Sequence, residues 1–111
     1  YAKAQNNLGI MYRRGQGVER NPREAFSWIW MAAMSGYARA EKNLAEMYMN
    51  GEGVAKNLPL AYVWLNSSMK SLPGKIRDKA QNKRDEIVAE LSDDDVSRAK
   101  RMATALISSR E

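Results

Sequence analysis

"LGIMYRRGQGVERN" at residues 8–21 and "LAEMYMNGEGVAKN" at residues 44–57 are two versions of one pattern, 36 positions apart. When residues 1–36 are placed on residues 37–72 without a gap, fourteen positions are identical. A fixed period of this length indicates supersecondary units that stack on one another and bury a shared core. The duplication therefore predicts an array of stacked repeat units.

The first half of each copy predicts an amphipathic helix. Both copies carry an apolar stripe at helical spacing, and we expect both stripes to be buried. The stripes are Ala4, Leu8, Met11 and Tyr12 in the first copy, and Ala40, Leu44, Met47 and Tyr48 in the second. Gly15 and Gly51 follow, and glycine commonly ends a helix.

The second half of each copy predicts another helix, antiparallel to the first. Asn21 is a good N-cap, Pro22 suits the first helical position, and Glu24 completes the spacing of a capping box. Asn57 caps the corresponding helix of the second copy. Each copy therefore predicts a helix hairpin.

The two Gly-x-Gly elements are turns between the helices of these hairpins. A phosphate-binding loop lies between a strand and a helix, and it continues to a third glycine or to Gly-Lys-Ser/Thr. Neither Gly15-Gln16-Gly17 nor Gly51-Glu52-Gly53 has either property. We therefore predict no nucleotide cofactor.

The composition argues against catalysis. The 111 residues include no Cys and no His, which removes thiol chemistry and the commonest metal ligand and general base. We therefore predict no enzyme activity, no metal site and no cofactor. The net charge is +5, and its excess lies in residues 1–72, with nine Lys/Arg against five Glu. A basic surface favours acidic partners.

The first copy also resembles a known family. Its pattern is Ala-x-x-x-Leu-Gly-x-Met-Tyr-x-x-Gly-x-Gly-Val-x-x-Asn-x-x-x-Ala-x-x-Trp-x-x-x-Ala-Ala-x-x-Gly, from Ala4 to Gly36. This is similar to the Sel-one-like repeat (SLR) of bacterial proteins, a relative of the tetratricopeptide repeat (TPR). The second copy matches through Trp64 and then departs, with Ser68, Met69 and Leu72 in place of the family's Ala-Ala-x-x-Gly. The resemblance implies an all-α, right-handed α/α solenoid used for protein–protein contacts, with no family-wide catalysis.

Residues 73–111 lose the period but still predict helices. One apolar stripe runs from Ile76 to Leu91, and a second runs from Val96 to Ile107. Ser92 is a good N-cap, and Asp93, Asp94 and Asp95 follow it in the first turn, where the helix dipole favours negative charge. A cation site is the alternative for these carboxylates, but consecutive helical residues point in different directions.

The predicted organisation is one repeat over residues 1–36, a second over 37–72, and a capping helical hairpin over 73–111. Three or more units usually make a stable array. We therefore expect further repeats before Tyr1, or self-association that covers the N-terminal face. The longest apolar run, residues 28–34, is too short to span a bilayer. We expect a soluble domain of the bacterial cytoplasm or periplasm.

The predicted partner-binding site is the concave face, which the first helix of each pair lines in helical-hairpin solenoids. Beside each buried stripe runs a second face, which we expect to be open. It carries Lys3, Asn6, Ile10 and Arg13 in the first copy, and Arg39, Lys42, Glu46 and Met49 in the second. These groups suit a peptide that combines carboxylates with an apolar side chain. A solvated face without a ligand is the alternative.

Trp30 is a separate candidate. Its counterpart in the second copy is Asn66, whereas Trp28 is repeated as Trp64. Trp30 therefore either packs within the stack or anchors an interface.

These features predict a protein–protein interaction module, an adaptor or scaffold that holds a partner on its concave face, with an acidic peptide as one candidate. A structural spacer within a longer solenoid is the alternative. Nucleic-acid binding through the basic half is less favoured, because interleaved exposed aromatics and a recognisable reading motif are both absent from the sequence.

Overall fold

The computed structural model describes residues 1–110, without the side chains of Ile107 and Arg110. Residue 111, the last of the predicted cap, and the Ile107 side chain of its second stripe lie outside this description. Residues 1–110 form six helices and no strand. The helices are α1 (Ala2–Arg14), α2 (Pro22–Met34), α3 (Ala38–Asn50), α4 (Leu58–Ser68), α5 (Gly74–Glu90) and α6 (Asp93–Arg110). The all-α repeat prediction is confirmed.

The helices of each repeat begin and end as the sequence predicts. Gly15 and Gly51 take left-handed φ values of 73° and 69°, and each N–H donates to a carbonyl of the preceding helix. The Oδ1 atoms of Asn21 and Asn57 accept from backbone N–H groups at 3.2 and 3.0 Å. Ser92 caps α6 by accepting from the Asp95 N–H at 3.1 Å.

The reciprocal half of the predicted capping box does not form. The Glu24 carboxylate accepts instead from the indole N–H of Trp28 at 3.2 Å. The Asn21 N–H donates to the Tyr12 carbonyl at 2.9 Å, and the Asn57 N–H donates to Tyr48 in the same way. These bonds tie the end of each turn back to the helix before it.

The two predicted stripes differ in burial. Ala40, Leu44 and Met47 of α3 are fully buried, but Met11 of α1 is 37% exposed and Ala4 is also exposed. The prediction of a buried stripe is therefore wrong for Ala4 and Met11, while Leu8 and Tyr12 are half-buried. The reason is position, because α3 packs against both α2 and α4, whereas α1 packs mainly against α2.

The C-terminal helices complete the packing. Both α5 and α6 pack against α4. Ala80 and Ile87 of α5 and Ala99 and Ala103 of α6 are buried in this contact. Within residues 1–110 no helix has the length and apolar character that a membrane crossing requires.

Candidate ligand-binding groove

A groove of about 550 Å³ lies on the face formed by α1, α3 and the start of α5. These are the first helices of the two repeats together with the helix that follows the second repeat. On each helix the residues that line the groove are three or four positions apart, so they lie on one face of that helix. They are Lys3, Asn6, Asn7 and Ile10; Tyr37, Arg39, Lys42 and Asn43; and Ile76 and Lys79.

The charge of the groove is of one sign. Among the described residues its lining includes four cations and no carboxylate. Lys42 is partly neutralised, since its Nζ lies 2.7 Å from Glu46 Oε2. The other three, Lys3, Arg39 and Lys79, form no ion pair with another residue of the described chain. These three side chains therefore make the groove attractive to a carboxylate.

Amide groups lie between the charges. Asn43 Nδ2 donates to Asn6 Oδ1 at 3.0 Å, which joins α3 to α1 across the groove. An amide side chain has two donors and an acceptor with two lone pairs, so this bond leaves capacity for a ligand. Ile10 and Ile76 add half-buried apolar surface. The groove can therefore hold carboxylates, backbone amides and one apolar side chain together.

An ion-pair cluster on α1 and α3 lies beyond these residues. Arg13 donates from Nε to Glu52 Oε2 at 3.0 Å and from Nη2 to Glu52 Oε1 at 2.8 Å. Glu46 accepts from Arg13 at 3.3 Å and also meets Lys83 of α5 at 3.0 Å. Glu46 thereby connects α1, α3 and α5.

The cluster keeps its carboxylates ionised. Burial alone would raise the pKa of Glu46, but the bonds from Lys42 and Lys83 lower it from an ordinary 4.5 to about 2. The hydrogen bond from Arg13 lowers the pKa of Glu52, and the same bond raises the pKa of Arg13. Arg13 is therefore paired mainly with Glu52, and Glu46 mainly with Lys42 and Lys83.

The structure brings together five of the eight predicted concave-face residues. Lys3, Asn6, Ile10, Arg39 and Lys42 line the groove, whereas Arg13 and Glu46 belong to the ion-pair cluster. Met49 is half-buried and packs against the core. The expectation of an open face is wrong for Asn6, which is only 3% exposed because α1 turns this side towards its neighbours.

Sequence reasoning missed five groove residues: Asn7, Tyr37, Asn43, Ile76 and Lys79. Asn7 and Asn43 carried a usable signal, because they are identical across the repeat while lying off the apolar stripe. Ile76 and Lys79 carried none, since the approach of α5 to this face is a tertiary arrangement.

Trp30 lies away from the groove, on the outer side of α2. Its ring stacks on Phe26 with centroids 6.2 Å apart, and meets Trp64 edge-on at 5.9 Å. It nevertheless remains 38% exposed. Trp30 therefore packs within the stack and also offers surface for an interface.

Both repeats match the model of a known family. A family model described as Sel1 repeat matches residues 2–37 and 38–68. The search of curated proteins gave no match.

Two solved structures have the same fold. The first is c5321, a protective antigen of uropathogenic Escherichia coli strains that displays an SLR fold. It is 25% identical over 97% of this chain, with a TM-score of 0.88. The second is a Sel1 repeat protein from Oxalobacter formigenes, 34% identical over 80% of the chain, with a TM-score of 0.71. The chain spans 22% of the first protein and 35% of the second.

Proposed function

Because this chain belongs to the Sel1 repeat family, we propose that it is a binding module that holds an acidic, extended segment of a partner protein in the groove between α1, α3 and α5. Repeats of this family generally act as protein-interaction scaffolds and are generally non-enzymatic. What we propose for this chain is the acidic ligand and the groove as the face that binds it.

One observation carries the proposal. Lys3, Arg39 and Lys79 come from three different helices, line one groove and have no carboxylate partner within the described chain. Cations without partners that converge on a concave surface attract anions, and charge-assisted hydrogen bonds are stronger than neutral ones.

A peptide fits this lining better than a nucleic acid does. Single-stranded nucleic acid needs aromatic rings on which successive bases stack, and within residues 1–110 Tyr37 is the single aromatic residue that lines the groove. Asn7, which is exposed, and Asn43, which is half-buried, instead offer amides that pair with the main chain of an extended peptide. Ile10 and Ile76 offer apolar contact for one side chain.

We also propose that residues 73–111 act as the C-terminal cap. The helices α5 and α6 both pack against α4, while α5 places polar side chains such as Lys75, Asp78 and Gln81 in solvent. A terminal unit needs such a polar outer face to end a stack.

The test uses a fluorescein-labelled synthetic peptide of Asp and Glu residues around a central Leu, and measures binding by fluorescence anisotropy. The first variant carries Lys3→Glu, Arg39→Glu and Lys79→Glu. The control carries Lys56→Glu, Lys100→Glu and Arg101→Glu, which makes the same change in net charge at exposed positions outside the groove. Arg13 is left intact because it belongs to the ion-pair cluster.

We expect the groove variant to bind at least about tenfold more weakly than the wild type, and the control to bind nearly as well. Circular dichroism checks that both variants fold. If the two triple variants weaken peptide binding equally, the loss comes from net charge alone, and the groove is not the binding site. No binding by the wild type would favour the structural-spacer role.

A further inference from the structure

The outer sides of α2 and α4 are covered differently. Tyr62, Val63 and Ser67 of α4 are 6%, 3% and 5% exposed, and α6 packs against this helix. The corresponding positions of α2 are open. Phe26 is half-buried, Ser27 is exposed and Met31 is 40% exposed.

Two apolar depressions adjoin on this outer side. One, of about 480 Å³, is lined by α2 residues with Tyr48 and Val54. The other, of about 460 Å³, lies between α4 and the second half of α6, with Met102 and Leu106 in its wall. Trp30 and Tyr48 line both. The indole of Trp30 is therefore the boundary between two neighbouring depressions.

Trp30 makes aromatic contacts with two neighbours. Phe26 stacks on one side of the indole and Trp64 meets it edge-on. The second repeat has Asn66 at this position, so the tryptophan is not a requirement of the repeat. Tryptophan is enriched among the residues that contribute most to binding at interfaces, so a partly exposed tryptophan in apolar surroundings suits an interface.

Two exposed cations lie one helical turn from the residues that line these depressions. Arg23 lies one helical turn before Ser27 on α2, and Arg101 lies one turn before Ala105 on α6. Both arginines are exposed, and neither forms an ion pair with another residue of the described chain. A partner that fills the apolar floor would therefore gain from carboxylates along its edges.

We propose that this outer surface docks an amphipathic α-helix of a partner protein, with apolar side chains one or two turns apart and acidic residues beside them. Each depression takes one apolar side chain, and the two side chains lie on either side of Trp30. The chain itself has an example of this geometry, since α6 packs by an amphipathic face, including Ala99 and Ala103, against α4. This site is separate from the groove between α1, α3 and α5.

The test uses two stapled helical peptides with the same Leu residues one and two turns apart. One has Glu along both edges of the apolar face, and the other has Lys at those positions. Binding to the 111-residue chain is measured by fluorescence anisotropy. We expect the Glu peptide to bind at least about tenfold more tightly than the Lys peptide.

Two variants locate the contact. Trp30→Asn introduces the residue that the second repeat carries, and we expect at least about tenfold weaker binding of the Glu peptide. The pair Arg23→Glu and Arg101→Glu changes only exposed side chains, so it should fold even if Trp30→Asn does not, and it should favour the Lys peptide. The groove variant with Lys3→Glu, Arg39→Glu and Lys79→Glu should bind the Glu peptide nearly as well as the wild type.

Equal affinity for the two helical peptides would overturn the proposal. So would complete displacement of the Glu peptide by the Asp/Glu peptide that is used to test the groove between α1, α3 and α5. Two other outcomes would assign the surface to another occupant and also overturn it. One is a dimer in sedimentation equilibrium that Trp30→Asn abolishes. The other is binding to phosphatidylserine vesicles that the same substitution abolishes, with no binding of either peptide.

Discussion

Arg13 holds the carboxylate of Glu52 with two hydrogen bonds, from Nε at 3.0 Å and from Nη2 at 2.8 Å. Arg13 is on α1 of the first repeat, whereas Glu52 lies in the Gly-x-Gly turn of the second. The second repeat has Met49 at the position of Arg13, and the first has Gln16 at the position of Glu52, so neither charge belongs to the shared pattern. The contact is therefore a specific connection between the repeats, added to the shared repeat pattern.

Replacing Arg13 should lower the stability of the chain. The two side chains are only 18% and 22% exposed, so Arg13→Gln leaves Glu52 with fewer partners in a partly desolvated place. We expect the free energy of unfolding to fall by about 1–3 kcal/mol in urea denaturation. Arg14→Gln is the matched control, because Arg14 is exposed and adjacent, and it should change stability by less than about 0.5 kcal/mol.

A double-mutant cycle with Glu52→Gln isolates the pair. We expect a coupling free energy of about 0.5–2 kcal/mol between the two positions. A coupling near zero would mean that the loss in Arg13→Gln comes from packing or from Glu46, and it would contradict the direct connection.

Acid should weaken the fold through Glu46. The pKa of this carboxyl is about 2 in the folded chain and 4.5 ordinarily. Between these pH values the Glu46 carboxyl is protonated in the unfolded state and ionised in the folded state. Its contribution to the free energy of unfolding is therefore complete above pH 4.5 and is lost as the pH falls towards 2. The whole effect is on the order of 3 kcal/mol. Denaturation curves collected across this interval measure it.

Glu46→Gln provides the comparison for the pH experiment. This variant is less stable near neutral pH because Lys42, Lys83 and Arg13 lose their shared carboxylate. Its stability should then change less steeply between pH 4.5 and 2 than that of the wild type. Glu86→Gln, at an exposed site on α5, should retain the wild-type slope. Parallel curves for the wild type and Glu46→Gln would show that other carboxylates dominate.

The sequence predicted the features that depend on neighbouring residues, and it did not predict those that depend on tertiary packing. The helices, their glycine ends and their asparagine caps depend on neighbours within a few positions, so the pattern determined them. Met11 and Met47 are identical in the repeat, but one is 37% exposed and the other fully buried. Their difference depends on whether a helix packs on the far side, which residue types do not encode.

The groove shows the same limit. Lys3 and Arg39 were predictable because they lie beside a recognisable stripe. Lys79 was not, because its place depends on how α5 leaves α4, where the period has already ended. Arg13 has the charge and donors of a ligand-binding residue. Its short distance to Glu52 in the structure shows that it forms an ion pair within the chain instead.

Ionic strength should distinguish the charged and apolar parts of the groove. The acidic Leu-containing peptide should bind more weakly when salt rises from about 0.1 M to about 1 M, because the screening length shrinks from about 10 Å to about 3 Å. Arg39→Gln should reduce both affinity and salt sensitivity. Ile10→Ala is the control, since it removes apolar contact and should lower affinity without changing the salt dependence. Identical salt dependence in the wild type and Arg39→Gln would place the peptide elsewhere.

The glycines of the two turns should tolerate alanine differently, although their backbones are alike. Gly17 and Gly53 have φ values of 75° and 69°, so alanine is strained at both. A Cβ on Gly17 would meet only the flexible end of Met11, 3.7 Å away. A Cβ on Gly53 would collide with the backbone carbonyl of Pro22 at the start of α2.

We therefore expect Gly17→Ala to lower the free energy of unfolding by about 1 kcal/mol, and Gly53→Ala to lower it by about 1–3 kcal/mol more. Gly36→Ala is the control, because its φ is 87° and a Cβ there meets nothing within 4 Å. It should behave like Gly17→Ala. Urea denaturation of the three variants gives the comparison. Equal losses at all three positions would mean that backbone strain alone requires the glycines, and that the second turn is not closely packed on α2.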